Sequence, residues 1–77
     1  MPLTLEARLF FMGLELQEMS ESPQFVKIQE RLRYTHNAYS EAIHRDISRY
    51  EANLILKRTR GFLNFVKEKY KDGWRNE

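Results

Sequence analysis

The chain contains no cysteine, so no disulfide or thiolate metal site can brace it. Glycine and proline are scarce, three and two in 77 residues, and nothing reads as a strand. Long apolar runs are missing too. The longest, Leu9 to Met12, falls far short of the about 20 residues a membrane span needs. The start, MPLTLEARLFF, has no basic region ahead of its apolar residues and is not signal-like. These features predict a soluble, cytoplasmic protein with no membrane partner. A dominant charge is also absent: thirteen Lys/Arg against eleven Asp/Glu leave a net +2, too little by itself to imply a nucleic-acid partner. There is no Gly-rich phosphate loop, no HExxH and no nucleophile elbow. The sequence therefore predicts no enzyme, no catalytic residue, no cofactor and no metal.

What is present is a folded, helical composition. Aromatic residues make up 13% of the chain and charged residues 31%, and the aromatic content argues against disorder. The length allows one domain, residues 1–77. At 9.4 kDa a compact globule would expose about 5,000 Å² and its core would be marginal. With disulfides and thiolate metal sites excluded, pairing with another copy is the remaining common source of stability.

Apolar spacing outlines the helices. Thr4 reads as an N-cap, followed by Leu5, Leu9, Met12, Leu16 and Met19 at steps of four, three, four and three, a helical stripe. The helix ends at SESP, where Ser22 before Pro23 is a start signal for the next one. From Pro23 no glycine or proline occurs until Gly61, and Phe25, Ile28, Leu32, Thr35, Tyr39 and Ala42 continue the rhythm. The phase then shifts to Tyr39, Ile43, Ile47, Tyr50 and Leu54. The spacing predicts one long second helix to about Lys57. Thr35–Asn37 is the best place for a break, and Ser48–Glu51 (SRYE) matches a capping box inside a periodic run. A last helical stretch covers Phe62 to Lys71, with Gly73 and Trp74 as a stop. The expected fold is all-α, a helical hairpin or small helical bundle with one long helix: a shorter helix 1 antiparallel to a long helix 2, paired as a dimer.

Helix 1 carries a second apolar set. Leu3, Phe10 and Leu14 lie nearly opposite the Leu5–Met19 stripe at about 100° per residue, with Phe11 between the two. A surface helix normally has one apolar face. Either helix 1 is central in a bundle, contacted on both sides by its own chain, or its spare face meets a second protomer. The second reading makes Leu3, Phe10 and Leu14 a candidate protein interface and the chain a small homodimeric adaptor or regulator. Its partners are then itself and another protein.

Charge is uneven along the chain. Leu54 to Arg75 holds seven cations and two carboxylates, a net +5. In one reading Lys57, Arg58 and Arg60 occupy the last turn before Gly61 and answer the helix dipole. In the other, Lys57, Arg58, Arg60, Lys67, Lys69 and Lys71 form a basic strip. Such a strip would take an acidic protein or, as the alternative function, nucleic acid. Glu41 and His44 have the Glu-x-x-His spacing of di-iron bundles. Helical phase turns both toward solvent, and His36 is two turns from His44, too far to share an ion. Tyr34, Tyr39, Tyr50 and Tyr70 have scattered phases that suit core or rim packing, and Met12 and Met19 read as core fillers. The segment MSESPQF, followed by a helix, resembles the helix–turn–helix of small bacterial helical regulators of the YlbF/YmcA kind over part of the chain. No residue role is carried over from it.

Overall fold

The computed structural model describes residues 3–70. Among these it is all-α, with helices α1 (Leu5–Glu21), α2 (Gln29–Ile43) and α3 (Arg49–Tyr70), and a 3₁₀ segment, Pro23–Ile28, before α2. No helix of the described residues is long and apolar enough to cross a membrane.

The first boundary follows the sequence. Thr4 Oγ1 accepts the Ala7 N–H at 3.1 Å, satisfying one of the donors a helix start leaves free. At the other end Pro23 holds Ser22 in the extended region, φ −77° and ψ 130°. Ser22 then has two duties: its N–H donates back to the Met19 carbonyl, and its Oγ accepts the Gln24 N–H. The new helix starts as 3₁₀ rather than α, with Phe25 off helical geometry at φ −114° and ψ 25°. That offset lets Phe25 turn inward and be buried.

The long second helix is not what forms. The chain leaves the helix after Ile43 and re-enters at Arg49. Thr35–Asn37 lies within α2, and the Thr35 hydroxyl donates to the Arg31 carbonyl one turn back. The break sits at the capping box instead. Ser48 Oγ accepts the Glu51 N–H at 3.1 Å, and the Ser48 carbonyl accepts the Ala52 N–H. His44 Nδ1–H donates to the Ser40 carbonyl at 2.6 Å, closing the end of α2. Arg45 pairs with Glu51 across the turn. The phase shift at Tyr39–Leu54 is the mark of this break: Tyr50, which a continuous stripe would bury, is 78% exposed.

Gly61 also departs from expectation. It lies inside α3, and no described glycine has a positive φ. Lys57, Arg58 and Arg60 are therefore mid-helix, and their role against a helix dipole at Gly61 falls away. The long helix is α3, with 22 residues, whereas α2 has 15 and is shorter than α1 with 17. The expected stop at Gly73 and Trp74, together with Lys71, lies outside the described residues.

Helix α1 is the element on which both others pack. Tyr39, near the end of α2, donates its hydroxyl to the Leu9 carbonyl near the start of α1 at 2.6 Å, so α1 and α2 are antiparallel. Arg49 and Asn53 of α3 lie beside Thr4 and Leu5, while Arg60 and Lys67 reach Glu15, so α3 runs parallel to α1. Leu16, Leu32, Leu63 and Val66 form the driest part of the core, with Met12, Met19 and Leu56 joining them. Fully burying side chains of this kind stabilises by about 1.5–3 kcal/mol each. The radius of gyration is 13.4 Å, against about 11.5 Å for a compact chain of this length. The molecule is elongated, with principal extents of 43, 26 and 16 Å.

Candidate interaction surface

The bundle answers only half of the question posed by helix 1. Both α2 and α3 pack on the Leu5–Met19 side, and no other described element covers the opposite face of α1. Leu3 is 57% exposed, Phe10 60%, Phe11 53% and Leu14 38%. The Phe10 and Phe11 rings meet edge to face, with centroids 5.6 Å apart. The result is an aromatic ridge along the outside of the molecule. In the sequence Phe11 reads only as a bridge between two stripes; the structure makes it part of this surface.

From Phe11 the surface descends into a cleft of about 470 Å³ between α1 and α3. Its apolar floor includes Met12 and Leu56, and Arg8, Lys57, Arg60 and Glu15 stand around it. Glu15 is held tightly. Arg60 donates two hydrogen bonds to it, Nη1 to Oε1 at 3.1 Å and Nη2 to Oε2 at 2.8 Å, and the Lys67 ammonium donates to Oε1. Arg60 and Lys67 are seven residues apart, about 10 Å along α3, and their long side chains converge on the carboxylate between them. The Arg60 guanidinium holds the Glu15 carboxyl down at about 2; partial burial opposes this and Lys67 adds to it. The same hydrogen bonds raise the Arg60 pKa.

The candidate basic strip does not stay together. Lys57, Arg60 and Lys67 fall within about 80° of each other around α3, while Arg58 and Lys69 lie roughly on the far side. Two of the first group, Arg60 and Lys67, are paired with Glu15, whose single charge offsets one of them. Lys69 lies over the Phe65 and Tyr70 rings, 5.4 and 5.9 Å from their centroids, which is cation–π distance. Lys57 and Arg58 are exposed, and Lys71 is outside the described residues.

Among the described residues, Glu41 and His44 are not brought together with any third ligand. Tyr34 is exposed. No group of three or more His, Asp or Glu side chains able to hold a metal ion occurs among the described residues. Tyr39 is buried, and burial pushes its hydroxyl up to about 12. Met12 and Met19 are core. Glu15 is the residue that sequence reasoning uses least well. Its signal is a carboxylate next to Leu16 and one turn from Met12 and Met19, at the edge of the buried stripe, where an ionised group needs a partner.

No family model, curated protein or solved structure matches the chain, so the MSESPQF resemblance rests on those residues alone.

Proposed function

We propose that the chain is a small non-enzymatic interaction module, an adaptor or regulator, that works as a homodimer through the outer face of α1. One observation carries this reading: α1 buries one face in its own core and still leaves an apolar ridge in water. The two phenylalanines, each more than half exposed, contribute about 200 Å² of ring surface. With Leu3 and Leu14 the patch enters the range of about 300–600 Å² in which exposed apolar surface is often functional.

The amount of surface fits a second copy. A standard interface covers about 800 Å² per partner, a little over half of it non-polar, so the ridge supplies roughly half of what a stable dimer needs. Pairing also answers the marginal core of a small domain. The cysteine-free sequence suits a cytoplasmic setting, and the surface left over would serve a further protein partner. The nucleic-acid alternative requires the cations of α3 on one face, and the split between Lys57 and Arg58 weighs against it.

Light scattering at micromolar concentration tests the reading. The wild type should have the mass of two chains and Phe10→Glu the mass of one, with unchanged helical circular dichroism. A monomeric wild type, with Phe10→Glu folded and of the same mass, refutes it.

A further inference from the structure

The outer line of α1 changes character along its length. Phe10, Leu14 and Glu21 fall within about 40° of one another around α1, so they lie on the same line of the helix. That line begins with Phe10, continues through Leu14, and ends in Gln17, Glu18 and Glu21, while Leu3 precedes α1 and lines the α1–α3 cleft. Glu18 and Glu21 are exposed, and the last turn of α1 contains no basic residue. Carboxylates at a helix C-terminus oppose the helix dipole, so these two are not explained by anything α1 does for itself. At the other end of α1, Arg8 and Lys57 flank the cleft beside Phe11. Among the described residues, none of Arg8, Lys57, Glu18 and Glu21 forms an ion pair. One molecule thus presents an apolar ridge with an acidic end and a basic flank.

The geometry points to an antiparallel dimer in which the α1 helices cross along the Phe10–Leu14 ridge and Glu18 and Glu21 of one copy lie against Arg8 and Lys57 of the other. This rests on the proposed homodimer and adds its direction and its polar contacts. A two-fold axis makes the contact self-complementary: whatever Arg8 meets in one direction it meets in the other. A parallel pair would set the acidic ends of the two copies together, a like-charge contact that disfavours that arrangement. The antiparallel pair brings each acidic end to the partner's basic flank. It also carries the contact beyond the ridge onto polar surface, which an interface of about 800 Å² per partner requires.

Charge reversal in the full chain tests this, with sedimentation equilibrium reading the dimer dissociation constant and circular dichroism checking the fold. Glu18→Lys with Glu21→Lys should weaken the dimer by about tenfold or more, since two sets of exposed contacts are lost and replaced by repulsion. Arg8→Glu with Lys57→Glu should do the same, and the four substitutions together should restore affinity to near the wild-type value. Because the natural chain has no cysteine, Glu21→Cys provides a second measurement. In the antiparallel pair the two thiols would be about 30 Å apart along the helix, far beyond disulfide reach, so oxidation should give no covalent dimer. A covalent dimer of Glu21→Cys overturns the proposed direction. So do charge reversals that leave the dissociation constant within twofold while Phe10→Glu is monomeric, and in that case the homodimer itself stands. A wild type that is monomeric at every concentration overturns both.

Discussion

Replacing Glu15 with Gln would keep the shape of the side chain and remove its charge, leaving Arg60 and Lys67 facing an amide. A carboxyl moved from 4.5 to about 2 would correspond to about 3.4 kcal/mol of stability if the group were sealed from water. It is not sealed: the Arg60 and Lys67 side chains are 44% and 45% exposed, and exposed pairs yield about 0.2–1 kcal/mol each. Allowing for the two-pronged arginine contact, the loss at neutral pH should be about 1–2 kcal/mol. The pH dependence has a definite sign. The folded-state value lies below the unfolded one, so the contribution is complete above about 4.5, declines as pH falls through the range between the two values, and is lost only below about 2, where both states are protonated. Urea unfolding of wild type and Glu15→Gln at about pH 7, 4, 3 and 2.5 measures the difference between the two proteins, which removes the other carboxylates from the comparison. Urea is the right denaturant because guanidinium would screen the contact. A difference of about 1–2 kcal/mol at neutral pH that shrinks toward zero at the acid end is expected. A difference that is absent at neutral pH, or constant throughout the acid range, would refute the assigned role of Glu15.

Two further substitutions probe the helices, and each has a sign that depends on the fold described above. Ser48→Ala should destabilise by about 1 kcal/mol because it removes the cap of α3; in an uninterrupted helix the same change would stabilise, since alanine is the better helix former, so chemical denaturation separates the two arrangements. Gly61→Ala should stabilise by about 0.5–1 kcal/mol, because Gly61 is helical and exposed and no described side chain comes within 4 Å of where the alanine methyl would sit; a loss of stability would mean that α3 does not run through it.

The sequence announces the ends of helices where side chains act within a few residues. Thr4 and Ser22 bond to backbone three and two positions ahead, and such contacts are visible in local spelling. The turn at His44–Ser48 is harder to see because it contains neither glycine nor proline. Its apolar residues keep a helical rhythm with only a shift of phase, and the correct cap at Ser48 is spelled in a place that periodicity argues against. Gly61 misleads in the opposite sense: a residue that often ends helices sits in one, its intrinsic cost outweighed by the burial of Leu56, Leu63 and Val66 on either side. Leu3 precedes the helix, and phase does not place it. The exposure of Phe10 and Leu14 is legible from phase alone, since exposure on a helix follows from angle. The Glu15 contacts are not, because they join residues 45 and 52 positions apart and depend on α3 lying parallel to α1. The same dependence hides the cleft beside Phe11, which exists only once α1 and α3 are side by side.

Because α2 and α3 both rest on α1, opening the molecule is unequal in its effects. Detaching α3 from α1 still leaves the hairpin in which Tyr39 holds Leu9. Detaching α2 still leaves the carboxylate clamp from α3. Only the loss of both frees α1 to unwind, so the amide protons of α1 should be the slowest to exchange with solvent deuterium, approaching the rate set by complete unfolding. The helix that offers its outer side to a partner is then also the last to come apart, and a partner bound there would grip the most persistent part of the fold.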